Sequence, residues 1–212
     1  MALSYYYTPL GSSTRVTWAL EEVGVPYEKH RLQLKQGDQK KPEFLAINPN
    51  GKVPALIDGD VKLFESLAIL LWLGEKYGED KRLWPKAGTP ERADAYVWTS
   101  WASVELMPNL REYLLHGTDV PFARPPEKRV RDIAEAARAH FDAHMKVLDG
   151  RLAGREYLLG SDFTLVDVAT AMSIVMASNM AGLQGPSGVA AWAARCQARP
   201  AFGRVMAQAF GG

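Results

Sequence analysis

The chain contains few of the residues from which metal sites and disulfides are built. Its 212 residues include one cysteine, Cys196, and four histidines that form no group with metal-ligand spacing. A single cysteine excludes an internal disulfide and a CxxC redox pair, so thiol chemistry would need a thiol from another molecule. We therefore predict no metal, and we expect Cys196, in an alanine-rich helix, to be a small buried apolar residue.

Charge of one sign and long apolar runs are also missing. The 25 basic and 24 acidic residues are interspersed, which excludes the basic footprint of a nucleic-acid-binding protein. No apolar stretch is long enough to span a bilayer, and the segment that begins at Leu3 lacks the apolar core of a signal peptide. These absences predict a cytoplasmic protein with no nucleic-acid partner and no membrane partner.

Hydrophobic residues make up 47% of the chain and include six tryptophans, which is enough for a sizeable core. Up to Gly78 the strand and helix patterns follow the order βαβαββα, which predicts a small mixed sheet with helices on its faces. From Thr89 onwards the patterns are helical, and residues 165–180 are apolar nearly all round, as in a buried central helix. We predict an α+β protein with an N-terminal domain at 1–80, a linker at 81–89 and an all-α helical bundle domain at 90–212.

Residues 48–66, with the sequence NPNGKVPALIDGDVKLFES, predict two short strands joined at Asp-Gly and followed by a helix. Pro54 opens the first strand and leaves Val53 extended, with its own backbone groups free. Ser66 is the predicted N-cap of the helix, after Glu65. The hairpin would bring Val53 and Glu65 to the same end of the sheet, where free helix amides favour an anionic, peptide-like ligand.

The order NPNGKVPAL, an Asp-Gly hairpin and LFESLAI resembles the glutathione-binding half of soluble glutathione transferases, and most closely the bacterial type, which is beta-like or theta-like. The resemblance implies a thioredoxin-like N-terminal domain, a helical domain that supplies the substrate pocket, and a homodimer that serves detoxification in the cytoplasm. It implies glutathione as co-substrate and no metal. In that family the proline is cis, the residue before it pairs with the cysteinyl part of glutathione, and a Glu-Ser pair holds the γ-glutamyl end. The glutathione-binding residues implied here are Gln39, Lys40, Lys52, Val53, Pro54, Glu65 and Ser66.

The hydroxyl that would activate the glutathione thiol is open between three residues. Ser12 falls where bacterial members have a cysteine, and it is our first choice. Ser13 follows it, and one of the two serines is expected to cap the first helix. Alignment on the first strand instead puts Tyr7 where tyrosine-using members have theirs. We expect Arg15 to be a structural partner inside the first domain, since a single arginine on a helix usually meets a carboxylate or solvent.

The hydrophobic substrate pocket implied by the resemblance would contain Leu10, Trp101, Met107 and Tyr113. Aromatic residues at helical spacing are usually core, so packing competes with pocket lining at Trp101 and Tyr113. Where Met107 stands, the bacterial cysteine-using members commonly have a histidine, so their mechanism is not simply transferable. Thr164 and Asp167 have the spacing of a capping box at the start of the buried helix.

The predicted function is conjugation of the glutathione thiolate to a small hydrophobic electrophile. A glutathione-dependent isomerase of the zeta type would use the same fold, but its Ser-Ser-Cys signature is missing because Thr14 follows the serine pair. A non-catalytic binding module with this fold is the other alternative, since a fold does not prove chemistry. The complete set of Val53, Pro54, Glu65 and Ser66 favours an active glutathione site.

Overall fold

A computed structural model describes residues 3–210. The chain divides into two compact units. The first comprises Met1–Ala87 and Ala198–Gly212 and contains the β-sheet, and we call it the sheet unit. The second comprises Gly88–Gln197 and is entirely helical among its ordered elements, and we call it the helical unit.

The sheet unit has four strands in the spatial order β2-β1-β3-β4, with β1 parallel to β2 and antiparallel to β3. The strands are β1 (Leu3–Tyr7), β2 (Tyr27–Arg31), β3 (Ala55–Asp58) and β4 (Val61–Phe64). The helices of this unit are α1 (Ser13–Val23), α2 (Pro42–Leu45), α3 (Ser66–Leu73) and α9 (Pro200–Phe210). The predicted order βαβαββα is confirmed for the thioredoxin-like part of the chain.

The side chains of β1 alternate between the two faces of the sheet, as a strand requires. Tyr5 is fully buried towards α1, where its hydroxyl donates to Ser13 O at 2.7 Å and lies 3.1 Å from Thr17 Oγ1. Tyr6 points to the other face and stacks on His30, its neighbour in β2, with ring centroids 4.5 Å apart. The hydrogen bond from Tyr5 in β1 to Ser13 therefore anchors the first turn of α1 to the sheet.

The end of β3 is tied to the helix that follows the hairpin. Asp58 is buried, and its Oδ2 accepts hydrogen bonds from Trp72 Nε1, Lys76 Nζ and Tyr77 Oη at 2.7, 2.8 and 2.8 Å. These three donors lie on α3 and on the π-helical turn Gly74–Gly78 that continues it. One carboxylate thus fixes the direction in which α3 leaves the hairpin.

The last helix, α9, packs on α1 in the sheet unit. Phe202 meets Trp18 edge to face at 4.9 Å, and Arg199 donates two hydrogen bonds to the carboxylate of Glu22 at 2.8 and 2.7 Å. The units therefore differ from the predicted domain limits: residues from Ala198 belong with the sheet unit, as do residues 81–87 of the predicted linker. The apolar face of α9 packs on α1. Helical periodicity predicts that such a face exists but not which helix it contacts.

The helical unit packs its helices around α7, which is buried along most of its length as predicted. Its helices are α4 (Pro90–Trp101), α5 (Met107–Gly117), α6 (Arg131–Leu152), α7 (Leu165–Ala181) and α8 (Ser187–Gln197). A π-helical turn, Ala102–Leu106, joins α4 to α5, in front of Pro108, which cannot donate a backbone hydrogen bond. Cys196 is fully buried on α8, as predicted.

The capping box predicted at Thr164 and Asp167 is present, and its acid has a second role. Asp167 is fully buried and accepts hydrogen bonds from the backbone N–H of Thr164, the backbone N–H of Leu158 and Trp192 Nε1, each at 2.9 Å. Burial raises the pKa of Asp167, and these donors act in the opposite direction by stabilising the carboxylate. Asp167, on α7, therefore connects that helix both to α8 and to the loop that precedes α7.

No helix in the described part of the chain is both long and apolar enough to cross a membrane.

Candidate functional site

The start of the hairpin offers free backbone groups, as the sequence predicted. The Val53-Pro54 peptide bond is cis, and β3 begins one residue later. The loop before it is held by Asn48, which donates from Nδ2 to Lys52 O at 2.6 Å and accepts from the backbone N–H of Asn50 at 3.0 Å. The N–H and C=O of Val53 make no hydrogen bond with any described residue. They are available to an extended peptide-like ligand.

The register of the hairpin brings Glu65 to the same end as Val53. Ala55 pairs with Phe64, so Pro54 and Glu65 follow that pair side by side. Glu65 is exposed and has φ +67°, a conformation that costs a non-glycine residue of the order of 1 to 3 kcal/mol. Such strain is typical of functional positions, because the surrounding structure must impose it.

Ser66 does not cap α3, which corrects the sequence prediction. The helix begins at Ser66 itself, Glu65 occupies the N-cap position, and no side chain caps the helix. The hydroxyl of Ser66 instead accepts two hydrogen bonds from Arg15, from Nη2 at 2.6 Å and from Nε at 3.1 Å. Capping and long-range pairing both suit a serine at this place, so local sequence alone could not separate them.

Arg15 is a buried cation between α1 and α3. Its side chain is only 5% exposed, and burial lowers the pKa of Arg15 to about 10, while the charge of Glu65 acts to raise it. The guanidinium remains protonated at neutral pH. The expectation that Arg15 is a structural partner inside the first domain is therefore confirmed, and its partner is a predicted glutathione-binding residue.

The three candidate thiol-activating hydroxyls differ in their availability. Ser12 is half-buried at the N-cap position of α1, and its Oγ makes no hydrogen bond with any described residue. Ser13 is buried, and its Oγ accepts from the backbone N–H of Thr8 at 3.4 Å. Tyr7 is half-buried and stacks on Tyr5 at 5.3 Å, with its hydroxyl unbonded among the described residues. Neither serine caps α1 with its side chain, contrary to the expectation that one of them would.

The residues predicted to meet the glycine end of glutathione lie on a short 3-10 turn, Asp38–Lys40. Gln39 donates from Nε2 to Leu34 O at 3.2 Å, and its buried Oε1 has no hydrogen-bond partner. The side chain of Lys40 passes over Gly51, where an added Cβ would lie 2.9 Å from Nζ. Lys52 is exposed, so only its backbone oxygen is fixed.

The predicted substrate-pocket residues fall at separate places within their units. Leu10 is exposed in the turn before α1 of the sheet unit. In the helical unit, Trp101 packs edge to face on Trp98 and His144, and the sulfur of Met107 lies 3.8 Å from Ser173 Oγ. Tyr113 lines an open cavity of about 400 Å³ between α5 and α6. The other residues that line it are Ala134, Glu135, Arg138, Ala139 and Asp142.

Sequence reasoning missed the link from Arg15 to Ser66, and the chain offers little signal for it. The two residues are 51 positions apart, and their contact exists only because α1 and α3 pack on the same face of the sheet. Within residues 3–210 no group of three or more His, Cys, Asp or Glu side chains could hold a metal ion.

Comparison with known proteins agrees with this geometry. The model of the N-terminal domain of glutathione S-transferases matches residues 1–75, and the model of their C-terminal domain matches residues 131–195. Glutathione S-transferase 3 of Zea mays is 34% identical over 219 residues, which cover 97% of this chain and 93% of that protein. Glutathione S-transferase GstB of Escherichia coli strain K12 is 33% identical over 195 residues, or 91% of each chain.

A solved structure gives the same result at the level of the fold. It is a glutathione transferase from Burkholderia graminis with two glutathione molecules bound per subunit, and it is 29% identical to this chain. The TM-score is 0.86, and the match covers 100% of this chain and 90% of that one. Family models for both domains and relatives matched over nearly the whole chain lead to one conclusion: the chain belongs to the glutathione S-transferase family.

Proposed function

We propose that the protein conjugates the thiolate of glutathione to a small hydrophobic electrophile. The observation that carries the proposal is that the sheet unit contains two kinds of polar group that make no hydrogen bond with the described residues. These are the backbone of Val53 beside its cis-proline and the free hydroxyl of Ser12 at the start of α1. The first suits the cysteinyl part of a peptide, and the second suits a sulfur anion.

Glutathione would bind along one end of the sheet. The N–H and C=O of Val53 would pair with the cysteinyl residue, in the manner of an added strand. Glu65 and Ser66 would hold the γ-glutamyl end, and Gln39, Lys40 and Lys52 the end that carries the glycine carboxylate. The exposed ammonium of Lys52 supports this assignment, because it can donate hydrogen bonds to a carboxylate.

The chemical step requires the thiolate, because a thiol is a poor nucleophile. A free thiol has a pKa near 8.5, and each unit by which the site lowers it corresponds to about 1.4 kcal/mol in favour of the thiolate. The protein supplies a hydroxyl donor at Ser12 and the positive end of the α1 dipole. The thiolate would then attack the electrophilic carbon, and the leaving group would depart with its electron pair.

The electrophile, the assembly and the location are further parts of the proposal. We infer an apolar electrophile from Leu10, Trp101, Met107 and Tyr113, which present apolar or aromatic side chains that are not fully buried. The homodimer and the cytoplasmic location rest on the family resemblance, and sedimentation equilibrium would test the dimer. A panel of aryl halides, epoxides, isothiocyanates and peroxides would identify the electrophile class.

Isothermal titration with glutathione, followed by conjugation assays, tests the function. We expect saturable binding at one site per chain and glutathione-dependent conjugation of at least one class in the panel. Glutathione binding without any turnover would favour the binding-module alternative. Glutathione-dependent isomerisation without conjugation would favour the isomerase, and absence of binding heat would contradict a glutathione site altogether.

A further inference from the structure

The sheet face that carries Tyr6 has an open cavity beside α2. This helix meets the face through Phe44, whose ring centroid lies 5.7 Å from that of Tyr6, but it is only four residues long. The cavity has a volume of about 260 Å³ and lies within the sheet unit. Its apolar wall consists of Tyr6, Leu32, Phe44 and Ile47. None of the residues proposed to bind glutathione or to activate its thiol lines this cavity.

The aromatic part of the wall is held in place by neighbouring rings. Tyr6, in β1, stacks on His30 in β2 with ring centroids 4.5 Å apart, and Phe44 is buried. Tyr6 itself is half-buried, and its hydroxyl makes no hydrogen bond with any described residue. Aromatic rings attract one another at centroid distances of about 4.5 to 7 Å. A ligand ring in the cavity would therefore meet an aromatic wall that is already formed, as is usual in small-molecule sites.

Three charged residues, Asp38, Lys41 and Glu43, complete the lining. The carboxylate of Asp38 accepts hydrogen bonds from Lys41 Nζ and from the backbone N–H of Gln33, both at 2.7 Å. Both acids raise the pKa of Lys41, chiefly through its hydrogen bond to Asp38. The carboxylate of Glu43 is exposed and makes no hydrogen bond with any described residue. Two acids and one base give the lining a net negative charge, and Glu43 is its free acceptor.

The volume limits the ligand to one ring with a short chain. A closed apolar cavity of about 150 Å³ binds benzene. The cavity beside α2, at about 260 Å³, leaves room for a short chain beyond such a ring. A protonated amine at the end of that chain could donate to Glu43, because an ammonium has three N–H donors and no acceptor.

We propose that this cavity is a second small-molecule site, which binds an arylalkylamine with its ring against Tyr6 and Phe44 and its ammonium beside Glu43. The inference goes beyond the proposed function and does not depend on it. The charge of Glu43 would select against anions, because a ligand carboxylate in the cavity would face a like charge.

Amide NMR spectra of the full chain, titrated with 2-phenylethylamine at pH 7, test the site. This amine is protonated at that pH, and we expect saturable shifts at Leu32, Glu43 and Ile47. The neutral ligand 2-phenylethanol has nearly the same shape and should bind about twofold to fivefold more weakly, the range for a solvent-exposed ion pair. The anion 3-phenylpropanoate should bind more weakly than either.

Two variants connect the binding to particular side chains. Glu43→Gln should remove the preference for the amine over the alcohol. Glu91→Gln is the matched control, since it removes an exposed acid from α4 in the helical unit and should leave the preference unchanged. Ile47→Trp should fill the cavity and abolish the shifts caused by both ligands, and circular dichroism would verify that this variant is folded.

Four results would overturn the inference. These are the absence of saturable shifts at millimolar amine, shifts centred on residues that do not line the cavity, an amine preference that survives Glu43→Gln, and tighter binding of 3-phenylpropanoate than of the amine. Displacement of the amine by glutathione would mean that the two ligands share one site, and it would contradict a second site.

Discussion

At the scale of single residues, the three hydroxyls near the start of α1 differ in what they already bind. Ser13 Oγ accepts a backbone hydrogen bond, whereas the hydroxyls of Ser12 and Tyr7 make none with the described residues. Of the two unpaired hydroxyls, only that of Ser12 lies at the positive end of a helix. The structure thus distinguishes between residues that the sequence leaves equivalent.

Ser12→Ala should raise the pKa of the bound glutathione thiol by about one to two units, because a charge-assisted hydrogen bond contributes roughly 1.5 to 3 kcal/mol. Conjugation near neutral pH should slow by about tenfold or more. Ultraviolet absorbance of the thiolate, followed against pH at saturating glutathione, measures the shift. Ser13→Ala and Tyr7→Phe are the matched variants, and a shift in either of them alone would move the donor role to that residue.

Glu65 combines a proposed role in glutathione binding with a strained backbone, so its variants should separate affinity from stability. Glu65→Ala should weaken glutathione binding by about 1.5 to 3 kcal/mol, the range for a hydrogen bond between charged groups. Glu65→Gly should weaken binding similarly but raise the free energy of unfolding by about 1 kcal/mol relative to Glu65→Ala, because glycine adopts positive φ without strain. Calorimetric titration and chemical denaturation measure the two effects, and a loss of affinity below half a kcal/mol would contradict the assignment.

At the scale of elements, the hairpin and α3 act as one piece because Asp58 joins them. Burial alone would raise the pKa of Asp58, but hydrogen bonds from Lys76, Trp72 and Tyr77 outweigh burial and hold the pKa below its usual value. A carboxyl whose folded-state pKa lies below its unfolded-state value stabilises the fold above the unfolded value, which is about 4. That contribution disappears as the pH falls through the lower, folded-state pKa.

Asp58→Asn should therefore reduce the dependence of the free energy of unfolding on pH under acidic conditions. At pH 7 the variant should lose about 1 to 2 kcal/mol, since Lys76 is half exposed and its ion pair is screened by solvent. Below pH 4 the free energies of unfolding of variant and wild type should converge. Urea denaturation across this pH range measures both, and parallel curves would contradict the role of Asp58. Asp60→Asn, an exposed change in the adjacent turn, is the control.

Element order was predictable from the sequence because it follows from local patterns. Alternation and turn residues define β3 and β4, and Thr89-Pro90 marks the start of α4. The pairing of Arg15 with Ser66 was not predictable, because it depends on packing between residues 51 positions apart. The same limit applies to Trp101, Met107 and Tyr113: helical spacing identifies their helices but not the cavity, if any, that each side chain meets.

At the scale of the whole molecule, the sheet unit is discontinuous in sequence. The chain leaves it at Ala87, forms the helical unit, and returns at Ala198. The returning helix α9 covers α1 through Phe202 and Trp18, which are both buried, and through ion pairs of Arg199 with Glu22 and Arg204 with Glu21. The proposed glutathione site, through Ser12 at the start of α1, and α9 therefore both depend on the position of α1.

A chain that ends at Gln197 should keep the helical unit folded but destabilise the sheet unit and lose glutathione affinity. The point variant Phe202→Ala should lower the free energy of unfolding by about 3 to 5 kcal/mol, the usual cost of removing a buried phenylalanine side chain. Hydrogen exchange resolved by segment would place the loss in α1 and the sheet. Val147→Ala, at an exposed site on α6, is the control. If the truncated chain, Phe202→Ala and Val147→Ala all protected α1 and the sheet from hydrogen exchange equally, the role of α9 would be contradicted.

The return of the chain also has a consequence for biosynthesis. The 110 residues from 88 to 197 must be translated between the two parts of the sheet unit. At roughly 5 to 20 residues per second this takes about 5 to 20 s, far longer than most domains need to fold. During that interval Trp18 lacks its contact with Phe202, and the helical unit is complete before Phe202 has been made. The part of the protein that is made first is thus completed last.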